Sequence, residues 1–155
     1  MKSKRTSAKR ERRKIIKKNN VMCFGTFDLL HPGHLSYFQQ AKKYGDYLLV
    51  VVARDATKKK FGKKTWFNEE ERFHLLKKVA LVDEVLLGDL EDYLKVILQK
   101  KPQTLCLGYD QTVNQKQLKL KLAQHNFYPK IVRLQAYQPK KNKSSLLKKK
   151  LSQFF

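Results

Sequence analysis

Short runs of apolar residues alternate along the chain with segments whose apolar residues recur at helical spacing. The run YLLVVVA at 47–53 is wholly apolar, which is typical of a parallel strand covered on both faces. Leu35, Phe38 and Ala41 instead follow at steps of three, and Gly45 ends that pattern, as expected of a helix. Both patterns recur to the end of the chain. They predict strands at 20–27, 47–53, 83–88, 104–108 and 130–134, and helices at 33–44, 68–79, 113–125 and 144–151. A further helix is predicted between the third and fourth strands, with Asp89 as its cap.

This alternation of strands and helices predicts a single α/β domain, with a five-stranded parallel sheet and helices on both faces. The 155 residues suit one domain, and we find no internal repeat. In such folds ligands bind at the carboxyl ends of the strands. Three polar clusters follow strands: the turn at 24–35, a lysine-rich loop at 54–67 and the LGYDQ segment at 107–111. We expect all three at one edge of the sheet.

The net charge of the chain predicts that its partner is anionic. The chain has 35 Lys and Arg against 13 Asp and Glu, a formal charge of +22. Residues 1–19 form a basic tail, which is either a solvated, flexible segment or an arm for nucleic acid, and the domain itself spans 20–155. We find no apolar run that could span a membrane and no secretory signal, so we expect a cytoplasmic protein. Cys23 and Cys106 lie in apolar runs, which predicts buried, reduced thiols.

The turn FGTFDLLHPGHL places His31 and His34 three residues apart, after a strand and at the start of a helix. Gly25 allows a phosphate to approach the backbone, and the free N–H groups of a helix start attract anions. Two imidazoles can therefore both donate hydrogen bonds to phosphoryl oxygens there. The alternatives are that they satisfy local backbone groups, or form a zinc pair for which no third ligand is evident. No P-loop, GxGxxG or nucleophile elbow is present, so direct phosphoryl or nucleotidyl transfer fits best.

The segment GTFDLLHPGH resembles the signature of the nucleotidyltransferase superfamily with an HxGH motif, the cytidylyltransferase-like group. The resemblance covers roughly residues 20–150. It implies a Rossmann-like fold with strand order 3-2-1-4-5. It also implies attack by a substrate phosphate or alcohol on the α-phosphate of ATP or CTP, with release of pyrophosphate. Mg²⁺ would accompany the nucleotide, without protein ligands of its own, and a homodimer is implied, with the first helix (Leu35, Tyr37, Phe38) either in the contact or in the core.

Carried over by position, the resemblance assigns catalytic roles to His31, His34 and Lys63. It gives structural or indirect roles to Asp28 and Arg72. The nucleotide-binding residues that it implies are Gly25, Thr26, Phe27, Gly33, Lys60, Lys64, Gly108, Tyr109, Asp110, Ser144 and Ser145. Each has a plainer alternative: the lysines in a solvated loop, Tyr109 and Asp110 in a simple turn, and Ser144 as a helix N-cap.

Two branches of this family compete for the substrate. The segments VARD, LLGD, LGYDQ and KSS are similar to those of small stand-alone FAD synthetases, which transfer AMP from ATP to FMN. The alternative is a CTP-dependent cytidylyltransferase acting on glycerol 3-phosphate or a similar small phosphorylated acceptor, whose RTxGxSTT ending is absent here. We therefore expect FMN adenylyl transfer. A function of another class, nucleic-acid binding through the basic tail, stays open at this point.

Overall fold

The computed structural model describes residues 18–154, which form eleven regular elements. The strands are β1 (Asn20–Gly25), β2 (Tyr47–Val52), β3 (Glu84–Leu87), β4 (Thr104–Leu107) and β5 (Lys130–Arg133). The helices are α1 (Pro32–Lys42), α2 (Asp55–Lys60), α3 (Glu69–Leu76), α4 (Leu94–Lys100), α5 (Gln115–Ala123) and α6 (Ser144–Leu151). All strand pairs are parallel, in the order β3-β2-β1-β4-β5. The predicted α/β class, parallel sheet and strand order are confirmed.

Alternate residues of the central strands face two separate hydrophobic cores. Val21 and Cys23 of β1 pack with Phe38 and Ala41 of α1 and with Leu76 of α3. On the other face, Met22 of β1 packs with Ile97 of α4 and with Leu118 and Leu122 of α5. The side-chain period of two in a strand produces this division. It explains why the strand runs are apolar at every position, and it confirms helices on both faces.

The first helix contributes mainly to the core. Phe38 is fully buried, and the Tyr37 hydroxyl donates a hydrogen bond of 2.7 Å to the carbonyl oxygen of Cys106. Only Leu35 of the three apolar residues considered for a dimer contact is exposed. Cys23 and Cys106 are adjacent across β1 and β4, and both are buried free cysteines, as predicted.

We expected the lysine-rich segment at 54–67 to be a loop. The structure instead places α2 at residues 55–60 within it. This helix has no buried residue, so it lacks the apolar periodicity by which a helix is predicted. Side-chain contacts support it instead. Asp55 accepts a hydrogen bond from the backbone N–H of Glu69, and the Glu69 carboxylate accepts one from the N–H of Asp55. Three lysines in its last turn also favour the helix dipole.

Two other predicted boundaries shift. β1 ends at the glycine of the predicted run 20–27, Gly25, and the last two residues of that run lie outside it, where Phe27 adopts a left-handed backbone conformation with φ of 54°. Asp89 does not cap α4 directly. Its carboxylate accepts hydrogen bonds from Glu91 and Asp92 in a preceding turn, and Asp92 then accepts the N–H of Leu94, the first residue of the helix.

The predicted tail at 1–19 lies, except for Lys18 and Asn19, outside the described residues, and the division between tail and domain stays a prediction. Within residues 18–154, no helix is both long enough and apolar enough to cross a membrane.

A fully buried arginine joins the connections at the carboxyl edge of the sheet. The Arg72 guanidinium donates to the carbonyl oxygens of Thr26 at 2.7 Å, Ala53 at 2.9 Å and Phe67 at 3.1 Å. It also forms an ion pair of 2.6 Å with Asp55. The turn after β1, the end of β2, the start of α2 and the start of α3 are therefore fixed to one side chain.

We predict that Arg72→Met destabilises the protein by about 3 kcal/mol or more, because it leaves three backbone carbonyls without their donor. Urea unfolding followed by circular dichroism measures this loss. The control is Arg54→Met, because Arg54 pairs with Glu69 in a partly exposed contact of 3.0 Å. That variant should lose less than about 1 kcal/mol. Equal losses in the two variants would contradict the role of Arg72.

Candidate active site

The turn after β1 is shaped by the packing of Phe27 on Gly25. A Cβ atom at Gly25 would lie 2.6 Å from Cζ of the Phe27 ring, so no other residue fits there without a shift. Phe27 is buried, and its ring meets the imidazole of His34 edge-on, with 5.3 Å between centroids. Gly25 and Phe27 thus have a packing role beside the phosphate contact implied by the resemblance. The carbonyl of Thr26 is held by Arg72.

His31 and His34 stack on each other at the start of α1. Their ring centroids are 3.8 Å apart and their planes differ by 24°. His31 is the N-cap residue, and its Nδ1 accepts the backbone N–H of Gly33 at 3.1 Å. Gly33 is required there, because its Cβ would lie 2.9 Å from that nitrogen and 3.0 Å from the carbonyl oxygen of Asn142. Since Nδ1 accepts, the proton of a neutral His31 is on Nε2, which is left as a donor.

Both histidines are held in their neutral form. Burial lowers the pKa of His34 to about 3, and the adjacent His31 contributes to this lowering. Burial also lowers the pKa of His31, although the negative charge of Asp110 opposes this. His34 Nδ1 is buried and has no hydrogen-bond partner among the described residues. The pair therefore offers neutral imidazole donors and not a fixed positive charge.

Asp28 connects three segments beneath the turn. It is buried, and its carboxylate accepts the backbone N–H groups of Trp66 at 2.8 Å and Phe67 at 2.9 Å. Lys148 of α6 forms an ion pair with it at 2.5 Å and also donates to the carbonyl oxygen of Lys64 at 3.2 Å. Burial raises the pKa of Asp28, but these hydrogen bonds outweigh it and lower the pKa below its ordinary value. Asp28 thus braces the turn, which is the structural one of the two roles, structural or indirect, that the resemblance implies for it.

The loop after β4 lies beside the histidines. Asp110 is close enough to His31 to raise its pKa electrostatically, and Tyr109 is partly exposed. The Gln111 side chain accepts the N–H of Gly108 at 3.0 Å and donates to the carbonyl oxygen of Phe24 at 2.6 Å. This loop is therefore attached to the end of β1.

Arg133 holds the same loop from its other side, and we did not predict it from the sequence. Its guanidinium donates to the carbonyl oxygens of Gly108 and Gln111, both at 2.8 Å, and of Val113 at 2.6 Å. Its position as the last residue of β5 was a usable signal, since the ends of β1, β2 and β4 each precede a predicted site cluster.

The three predicted lysines of the 54–67 segment, Lys60, Lys63 and Lys64, are exposed. Lys58 of α2 is instead half-buried, and its carbonyl oxygen accepts the N–H of Lys63 at 3.1 Å. Burial lowers the pKa of Lys58, and the positive charges of Lys63, Arg72 and Lys148 lower it further. A cluster of cations therefore faces this side of the site.

The start of α6 reaches the turn from the far end of the chain. Ser144, which is half-buried, lies with its hydroxyl 3.5 Å from the carbonyl oxygen of Leu29, whereas Ser145 is exposed. The N-cap position belongs to Lys143, so Ser144 is the first residue of the helix and not the plain N-cap of the alternative interpretation. Sequence reasoning missed Lys148, one helical turn further on, whose partner Asp28 is 120 residues away in the chain.

The histidine turn, the cation cluster, the β4 loop and the start of α6 thus surround one position at the carboxyl edge of the sheet. It offers hydrogen-bond donors and positive charge, which suit a polyphosphate. Among residues 18–154, no three His, Cys, Asp or Glu side chains group as a protein-held metal ion would require.

Comparison with known proteins agrees with this geometry. A family model described as cytidylyltransferase-like matches residues 22–150, and the chain belongs to that family. Within it, the chain is similar to proteins named FAD synthase. The FAD synthase of Thermoplasma acidophilum is 41% identical over 131 residues, which cover 84% of this chain and 92% of that protein. The FAD synthase of Picrophilus torridus is 35% identical over 135 residues, or 87% of this chain and 97% of the relative.

A solved structure shares the fold at similar identity. The crystal structure of the lipopolysaccharide core biosynthesis protein from Thermoplasma volcanium GSS1 is 40% identical to this chain, with a TM-score of 0.76. The match covers 78% of this chain and 99% of that one.

The neutral state of His34 predicts a pH-dependent stability. Because its folded-state pKa of about 3 lies below the ordinary 6.5, protonation favours the unfolded chain. The contribution of neutral His34 is complete above pH 6.5 and is lost as the pH falls toward 3. In urea titrations below pH 6.5, the wild type should lose up to about 1.4 kcal/mol per pH unit more than His34→Gln. The exposed His125→Gln serves as the control and should follow the wild type; parallel profiles for all three would contradict the prediction.

Proposed function

We propose that this protein transfers AMP from ATP to FMN, giving FAD and pyrophosphate. The observation that carries the proposal is the stacked, neutral pair of His31 and His34 at the start of α1. It occurs in a chain that matches proteins named FAD synthase over 84% of its length. Paired donors without an activated nucleophile suit direct transfer of a nucleotidyl group.

In this mechanism a phosphate oxygen of FMN attacks the α-phosphorus of ATP. The bond from that phosphorus to the bridging oxygen of the β-phosphate breaks, and pyrophosphate leaves with the electron pair. Negative charge develops on the oxygens around the α-phosphorus, where we place the Nε2–H of His31 and the imidazole of His34. Because both rings are neutral in the free protein, they act as hydrogen-bond donors, and an approaching triphosphate favours their protonation.

The remaining site residues take binding roles in this proposal, except that Lys63 keeps the catalytic role that the resemblance gives it. Thr26 and the backbone of Gly25, Phe27 and Gly33 face the phosphates from the turn. The cations of the 54–67 segment and the serines of α6 complete that phosphate site. We assign Lys60, Lys63, Lys64, Ser144 and Ser145 to it, and Gly108, Tyr109 and Asp110 to the nucleotide on the β4 side.

Mg²⁺ fits this site as a companion of the nucleotide and not as a resident of the protein. The described residues provide no cluster of three metal-ligating side chains, and Asp110 is the carboxylate beside His31. An ion held by phosphate oxygens and water needs few protein ligands. When bound, it would offset the negative charge of the triphosphate.

A screen for pyrophosphate release tests the function, with ATP or CTP offered against FMN, glycerol 3-phosphate and choline phosphate. We expect release only from ATP with FMN, together with FAD identified by chromatography. Release from CTP with glycerol 3-phosphate, and none from ATP with FMN, would establish the cytidylyltransferase alternative instead.

We predict that His31→Ala and His34→Ala each lower kcat by about 10²-fold or more, because each removes a donor to the transition state. His125→Ala is the matched control, since this exposed histidine follows α5 at the opposite edge of the sheet. It should retain the wild-type rate. Circular dichroism establishes that each variant is folded, and a folded His31 or His34 variant with unchanged kcat would refute the assigned role.

The homodimer, the cytoplasmic location and the nucleic-acid-binding tail stay predictions. Nucleic-acid binding by the tail would be a second function, beside the transfer reaction and not in place of it.

A further inference from the structure

The product of the proposed reaction has a shape that constrains the site, so the role inferred below for Trp66 rests on the proposed function. FAD consists of two flat ring systems, adenine and isoalloxazine, joined through a central pyrophosphate. The histidine pair that would hold the phosphates follows β1, the middle strand of the sheet. In the proposed complex we place the two rings on opposite sides of β1, one toward β4 and the other toward β2, because polar and aromatic residues of the carboxyl edge follow both neighbouring strands.

On the β4 side, the loop after the strand carries an exposed aromatic side chain, Tyr109. Tyr109 is 40% exposed and precedes Asp110, whose charge acts on His31. Gln111 attaches this loop to Phe24 of β1. This side carries the residues that we assign to the nucleotide.

A second aromatic side chain is held on the β2 side. The side chain of Trp66 is 54% exposed, although its backbone N–H donates to both oxygens of the buried Asp28, at 2.8 and 3.0 Å. Asp28 is itself fixed by Lys148. It precedes His31 by three residues, so their Cα atoms are at most about 11 Å apart. The backbone of Trp66 is thus fixed on the turn that carries His31, and the surface of its indole remains open.

Phe61 is also an exposed aromatic residue of this segment, but its backbone is not fixed to the Asp28 turn. It is 75% exposed, and its backbone contacts stay within the end of α2, because its N–H donates to the carbonyl oxygen of Lys58. No hydrogen bond joins it to the Asp28 turn among the described residues. A flat, rigidly placed aromatic surface is what stacking on a ring requires, and Trp66 provides it.

We infer that Trp66 is the stacking platform for the isoalloxazine ring of FMN. Our assignment of adenine to the β4 side, beside Tyr109 and Asp110, leaves this position to the flavin. Trp66 is the only tryptophan of the chain, so its substitution removes every indole at once.

The test uses the fluorescence of FMN, titrated with the full-length protein with and without a non-hydrolysable ATP analogue. In the wild type, contact with the indole should quench the bound flavin as its anisotropy rises. In Trp66→Leu the Kd for FMN should rise about 10- to 100-fold, and the bound flavin should be brighter. Trp66→Phe, which keeps an aromatic surface, should lie between them. Tyr128→Leu is the matched control: Tyr128 is 75% exposed and precedes β5, at the opposite edge of the sheet.

Two results would overturn the inference while leaving the proposed function intact. In the first, the wild type forms FAD, but Trp66→Leu binds FMN with unchanged affinity and unchanged quenching. In the second, Trp66→Leu weakens binding of the ATP analogue and not of FMN. If the leucine variant does not fold, Trp66→Phe decides by the same two criteria. By contrast, a wild-type protein that neither binds FMN nor forms FAD would refute the proposed function itself.

Discussion

The buried guanidinium of Arg72 fixes the relative positions of the segments that meet at the carboxyl edge of the sheet. A cation without partners in the interior would cost several kcal/mol, so the three carbonyl oxygens and Asp55 that surround it are obligatory partners. These partners lie in three places: Thr26 in the turn after β1, Ala53 and Asp55 at the junction of β2 with α2, and Phe67 just before α3. The turn after β1 therefore cannot move without breaking contacts at the end of β2 and the start of α3. This coupling gives a site made largely of loops the rigidity that catalysis by positioning needs.

A second constraint is electrostatic. The chain carries a formal charge of +22, yet the two side chains at the centre of the site are neutral imidazoles. Positive charge stands further out, at Lys58, Lys63 and Lys148. Under the proposed function this arrangement would separate two tasks: the outer cations would attract a polyphosphate over a distance, and the inner donors would form directed hydrogen bonds where charge develops. Asp28 keeps Lys148 at this outer position, because its carboxylate already pairs with that ammonium group.

The fold could be predicted from the sequence because its signals are local. The apolar run of β2 and the spacing of Leu35, Phe38 and Ala41 in α1 each define an element within a few residues. The histidine turn could be predicted for the same reason, since its two rings and two glycines lie close together in the chain. The supports of the site depend instead on partners far away in the chain. Lys148 meets Asp28 and Arg133 meets Gly108 only once the sheet has formed, and α2 is stabilised by contacts of Asp55 and not by its own pattern.

The same distinction separates the proposed phosphate site from the proposed acceptor site. The histidines that we assign to the triphosphate lie between β1 and the first turn of α1, and Phe27 and Phe38 pack beneath them in the core. The residues that would meet the acceptor lie on the 54–67 segment, which buries none of its helical residues and is attached to the turn through Asp28 and Arg72. A side-chain change at Trp66 keeps the backbone contacts to Asp28, so it alters the surface of that segment without moving the histidine turn. Under the proposed function, the transfer reaction then depends on the turn after the central strand, and the contact with FMN depends on the connection after the neighbouring strand.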